Sequence, residues 1–154
     1  MSDVDQPHAA IEPGEVVVTE AGPRYAQSMS DGRHLTIADE PAEVGGADAG
    51  PSPYALLLMA LGACTSMTLR MYADRSGWPL ERVRVRLKHF RGHAADAVAS
   101  GEGENAFLDR IERVIELDGP DLDQVQRTRL AKIAESCPVH RTLSHRTLIE
   151  TRLA

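Results

Sequence analysis

The chain has 154 residues, of which 42% are apolar, 26% charged and only 4% aromatic, and it carries a formal net charge of −6. That is enough for one domain with a core of Leu, Val, Ile, Ala and Met, and the acidic balance disfavours nucleic acid as a partner. The longest apolar run, 55–63, falls well short of the roughly 20 residues of a membrane span, the start "MSDVDQPHAA" has no apolar signal region, and two cysteines are too few for a secreted disulfide scaffold; no membrane and a cytoplasmic location are the expectations.

Residues 1–14 read as a disordered tail and 15–154 as a single domain. "EVVVT" at 15–19, residues 25–30 and "HLTIA" at 34–38 read as strands, with "DGR" at 31–33 as a hairpin turn. They predict an N-terminal meander of three antiparallel strands. "DEPAEVGGADAGPSP" is a loop rich in Gly, Pro and Asp. Ser52-Pro53 then sets a helix start, a capping hydroxyl followed by proline at the first helical position. Leu57, Ala60, Leu61, Cys64, Thr68 and Met71 recur at steps of three and four, and Gly77 with Pro79 marks the stop. A helix of about 24 residues, roughly 36 Å long, is the expected central spine.

"LERVRVRLKHF" alternates, with Val83, Val85 and Leu87 on one face and Arg82, Arg84, Arg86 and Lys88 on the other. Residues 91–106 are small and polar, a flexible connection. "LDRIERVIELDG" alternates again, Ile111, Arg113, Ile115 and Leu117 against Glu112, Val114 and Glu116. The two runs predict a long hairpin whose acidic and basic faces answer each other. Asp121 is the expected cap of a second helix through Leu130, Ile133, Ala134 and Cys137, ended by Pro138. "TLSHRTLIETRL" alternates and reads as a closing strand. About six strands and two main helices make the fold class α+β.

Cys64 lies on the apolar stripe of the spine helix, where a packing role and a nucleophilic role are both open: free Cys is often a buried small hydrophobe, and a mid-helix thiol needs some other source of positive charge to react. Cys137, read as the last turn of its helix, is placed where the dipole disfavours a thiolate, which suits a resolving thiol better than an attacking one. "CPVH" and the pair His89 and His93 do not supply the two close ligand pairs of a structural zinc site, so no metal is expected. The basic row of Arg82, Arg84, Arg86, Lys88 and Arg91 lacks interleaved aromatics and reads as a solvated strand face. "GGADAG" precedes a helix but has no phosphate-loop lysine, and no other dinucleotide- or phosphate-binding pattern occurs.

Two longer stretches, "GPSPYALLLMALGACTSMTLRMYADRSGWPLERV" and "IAESCPVHRTL", resemble in order and separation the signatures of the OsmC/Ohr family (osmotically inducible protein C and organic hydroperoxide resistance protein). The resemblance covers nearly everything after about residue 15. It implies an OsmC-like fold in an intertwined homodimer around two central helices, with active sites at the subunit interface. It also implies a cysteine-based peroxidase that reduces organic hydroperoxides, with Cys64 peroxidatic, Cys137 resolving, a cellular dithiol as reductant and no cofactor. The family's activating arginine comes from the N-terminal sheet; Arg24 after "EAGP" is the match, with Arg33 the alternative. Tyr54 stands where Ohr proteins carry a glutamate, Ala55 where closer relatives carry an acid, and Ala97 and Ser100 where some carry a second cysteine pair; Glu43 is the candidate substitute partner for the arginine. This altered support raises two alternatives on the same fold, a non-enzymatic dimeric binding protein for an apolar ligand and a redox sensor.

Overall fold

The computed structural model describes residues 11–22, 24–91 and 109–153. The chain divides into two compact units, one ending at Leu56 and the other running from Leu57 onward.

The first unit is the expected meander, with shorter strands. β1 (Val17–Glu20), β2 (Gln27–Ser30) and β3 (Leu35–Ala38) form an antiparallel sheet in the order β1-β2-β3. Its register sets Val17 opposite Ser30 and Gln27 opposite Ala38. The "DGR" turn closes because the Asp31 carboxylate accepts the N–H groups of Arg33 at 2.9 Å and His34 at 2.7 Å, leaving Gly32 at φ +85°. The loop after β3 is wound around one side chain. Asp39, 2% exposed, accepts the N–H groups of Glu40 at 2.8 Å, Ala47 at 2.9 Å and Ala49 at 3.2 Å. Burial alone would raise this carboxyl, but the three N–H groups outweigh burial and hold it below its usual value. Gly46 is required where the loop closes, since a Cβ there would lie 1.8 Å from the Glu40 carbonyl oxygen.

α1 (Pro53–Ser76) has the length and bounds that the capping pair predicts. By length and composition alone it could cross a bilayer, which the apolar run at 55–63 does not suggest by itself. In the second unit its Leu69 and Ala73 are completely buried, in one cluster with Leu80, Leu122, Leu130 and Ala134. Tyr72 and Trp78 pack edge-to-face beside that cluster at 5.3 Å. The opposite stripe of α1 is bare: Met59, Met67 and Met71 are exposed, with Ala63 between them.

β4 (Arg82–Arg91) and β5 (Asp109–Asp118) form the long antiparallel pair, with Arg82 opposite Asp118 and Leu87 opposite Arg113. The charged faces answer each other as expected. Arg82 meets Asp118 at 2.7 Å, and Glu116 takes both Arg84 and Arg86; exposed pairs like these contribute little individually but favour this register. Leu87 seats against α1 at Gly62, where a Cβ would stand 2.9 Å from Leu87 Cδ1. The expected connection at 91–106 lies, after Arg91, outside the described residues.

Three expectations are corrected after β5. The second helix, α2 (Gln124–Ile133), is capped by Asp123 and not Asp121: Asp123 takes the Gln126 N–H and Gln126 answers the Asp123 N–H, a capping box. The chain then tightens into a 3₁₀ turn, Ala134–Ser136, so Cys137 is not in the last turn of the helix. Pro138 does end that helical run but also opens another, α3 (Pro138–Ser144), because proline fits the first helical position. The closing strand is therefore absent: its first residues are in α3, and 145–153 are exposed without regular structure. Five strands stand among the described residues, and the class is α+β.

Candidate active site

The site grows from two adjoining side chains on α1. Thr65 is fully buried and its hydroxyl donates to the Leu61 carbonyl at 2.8 Å; Thr68 does the same to the Cys64 carbonyl at 2.7 Å. Such i−4 bonds satisfy a hydroxyl inside a helix. Cys64 is half-buried and Cys137 completely buried, and both are free thiols. The fold brings them close enough that each thiol shifts the other's ionisation. Cys137 reaches Cys64 because the break between the 3₁₀ turn and α3 turns its side chain inward.

Their electrostatics differ. Burial pushes the Cys64 thiol up, and the hydrogen bond with Cys137 adds to this; the Val139 N–H and the Thr68 hydroxyl oppose it without prevailing. Burial also acts to raise Cys137, but the Cys64 thiol, the N–H groups of His140 and Val139 and the Thr65 hydroxyl outweigh it and pull Cys137 below its usual value. The expectation that the surroundings of Cys137 disfavour a thiolate is thus reversed. It assumed a helix C-terminus with its carbonyls, whereas the sulfur faces the first amides of the next segment. The surroundings of Cys137 favour its thiolate, and Cys64 is the less buried of the two thiols.

Arg113 completes this cluster and was not singled out from sequence. It projects from the inward row of β5, and its Nη1 donates to Thr65 Oγ1 at 3.0 Å and to the Ala134 carbonyl at 3.3 Å. The available signal was a lone arginine in the apolar alternation Ile111, Arg113, Ile115, Leu117.

Arg24 belongs to the first unit. Its backbone has φ +70°, a left-handed conformation that costs a residue with a Cβ about 1 kcal/mol or more. Its Nη1 donates to the Gly45 carbonyl at 2.9 Å. Arg33 sits in the exposed hairpin turn. Among the described residues no carboxylate pairs with Arg24, Glu43 included. Tyr54 is exposed at the start of α1 and Ala55 half-buried; His93, Ala97 and Ser100 lie outside the described residues. His89 meets Asp109 at 2.7 Å, and among the described residues no three metal-ligating side chains converge. Two shallow grooves follow α2, lined by residues such as Gln124, Thr128 and Lys132, without either cysteine.

Comparison with known proteins bears on the whole arrangement. The family model described as OsmC-like protein matches residues 45–152. No curated protein sequence matches. Among solved structures, an OsmC-like protein from Mycoplasma pneumoniae superposes with a TM-score of 0.66 at 17% identity, covering 84% of this chain and 86% of that one. An organic hydroperoxide resistance protein OsmC from Legionella pneumophila gives 0.59 at 21% identity, covering 84% and 88%. An organic hydroperoxide resistance protein from Elizabethkingia anophelis gives 0.58 at 19%, covering 83% and 87%. At these identities the likeness speaks for the fold alone.

Proposed function

Because this chain belongs to the OsmC-like family, we propose that it is a thiol-dependent peroxidase that reduces organic hydroperoxides in oxidative-stress defence. The observation that carries the reading is the contact between two free thiols of unequal exposure, Cys64 reachable and Cys137 buried behind it. Cys137, as the thiolate, takes the proton from the Cys64 sulfur. The Cys64 thiolate then attacks the outer oxygen of the hydroperoxide, the O–O bond breaks, and the alkoxide leaves as an alcohol by taking the proton from Cys137. Cys64 is now a sulfenic acid. Cys137, again a thiolate, attacks the Cys64 sulfur, water leaves, and a disulfide forms; a cellular dithiol returns both thiols. Apolar neighbours on α1 favour a greasy peroxide over hydrogen peroxide. No cofactor enters these steps.

Three further parts belong to the proposal. Arg24 supplies the positive charge that Cys64 needs against the upward push of its burial. The protein works as a homodimer, which the exposed Met59, Met67 and Met71 stripe supports, and it works in the cytoplasm. The raised Cys64 thiol and the lack of a carboxylate on Arg24 among the described residues favour a second reading, a dimeric binding protein for an apolar ligand. The deciding experiment mixes reduced protein with one equivalent of cumene hydroperoxide, hydrogen peroxide in parallel, and follows intact mass and free thiols. Peroxidase chemistry consumes both thiols with loss of two hydrogens, faster with the organic peroxide, and Cys64→Ser consumes no peroxide. Survival of both thiols for minutes, or undiminished consumption by Cys64→Ser, overturns it.

A further inference from the structure

Among the described residues of the second unit, three arginines donate to backbone carbonyls, and one of them differs. Arg70 holds the Leu80 and Glu81 carbonyls at 2.6 and 2.9 Å. Arg127 holds those of Leu117, Gly119 and Leu122 at 2.8, 2.7 and 3.2 Å. Both tie turns together. Arg113 instead spends one nitrogen on a hydroxyl of α1 and on the carbonyl of Ala134. Those two atoms belong to the residue after Cys64 and to the turn that delivers Cys137. Half-burying a guanidinium with no carboxylate partner among the described residues is costly, and an apolar residue would continue the inward row of β5.

We propose that Arg113 is a positioning residue for disulfide closure, holding Thr65 and the Ala134–Ser136 turn so that Cys137 faces the sulfur of Cys64. The inference rests on the Cys64–Cys137 couple proposed above. Its chemistry follows from the hydroxyl. Thr65 has one proton and two lone pairs. Arg113 occupies one lone pair and leaves the hydroxyl proton free, and toward a Cys137 thiolate, which has no proton to give, the hydroxyl serves as donor. It can move its proton from the Leu61 carbonyl to a Cys137 thiolate without losing Arg113. A donor to the thiolate stabilises the form that attacks. In that attack the Cys137 electron pair makes the S–S bond, the Cys64 S–O bond breaks, and the oxygen leaves as water with a proton from solvent. The hydroperoxide is the only oxidant needed.

The test separates the two halves of the cycle in Arg113→Lys, Arg113→Met and Thr65→Val, with Arg127→Lys as the control for a merely structural arginine. Sulfenic acid at Cys64 is trapped with dimedone, and disulfide closure is timed by mass. We expect closure to slow tenfold or more in Arg113→Met, with the dimedone adduct rising in step. Arg113→Lys should recover part of the rate, and Arg127→Lys should leave it unchanged. Thr65→Val should slow closure comparably, and adding Arg113→Lys to it should slow it no further, as for two groups in one chain of contacts. Closure is also driven with diamide, a diazene that takes two hydrogens from the thiol pair. If the protein ignores hydroperoxides yet closes with diamide, the peroxidase reading fails while the role of Arg113 is still decided. Wild-type closure rates in folded Arg113→Lys and Thr65→Val, or equal slowing in Arg127→Lys, overturn the proposal.

Discussion

Removing the Asp39 carboxylate tests the reasoning about the first unit most directly. The side chain is 2% exposed and receives three backbone N–H groups. In Asp39→Ala each of those groups loses its acceptor, and an orphaned donor costs about 1–3 kcal/mol. Ala47 and Ala49 are themselves exposed, so water recovers part of two of the three, and the expected cost is about 3–5 kcal/mol. Asp39→Asn should cost less, about 1–3 kcal/mol, because its one carbonyl can take the pair from Ala47 and Ala49 while the Glu40 bond is lost. The acid limb of stability carries the same signature. The folded carboxyl is held below its usual value, so its contribution is fully present above the unfolded pKa of about 4 and is lost as pH falls through the folded value. Asp39→Asn should flatten that limb. Urea melts at several pH values measure the cost, and hydrogen exchange at 45–50 reads the loop, including the Gly45 carbonyl segment that holds Arg24. A loss under about 1 kcal/mol in Asp39→Ala, or Asn worse than Ala, would refute the reasoning.

Two other outcomes are expected. Arg24→Ala should move the pH profile of Cys64 alkylation upward, since burial and Cys137 raise that thiol and the proposed cation opposes them; an unmoved profile, or a shift only in Arg33→Ala, reassigns the role. Met67→Glu places a charge in the bare stripe of α1, where burying the rest of each exposed methionine contributes roughly 1 kcal/mol or more per protomer; light scattering should find monomer where the parent is dimeric, and an unchanged mass removes the stripe from the interface.

Legibility followed the locality of the cause. α1 was readable to its ends because Ser52-Pro53 and Gly77 act on the nearest backbone. The β4–β5 pairing was readable because a period of two sorts charge to one face. Cys137 was misplaced because Pro138 carries two meanings, helix stop and helix start, and only the packing around Ala134 chooses between them. The closing strand was inferred from alternation alone, which α3 overrode with a proline at its first position. Asp39 and Arg113 escaped because their partners are distant or belong to backbone: a lone Asp in a loop of small residues and a lone Arg among isoleucines look ordinary until the amides and the hydroxyl they meet are in place.

The β4–β5 ladder has a consequence for how this sequence can vary. Leu87 is keyed into the gap at Gly62, and the register places Arg113 directly across from it. Strand pairing, and not the length of chain between the strands, therefore meters the distance from Arg113 to Thr65. A single insertion inside either strand would turn Arg113 to the other face of the pair and break that spacing.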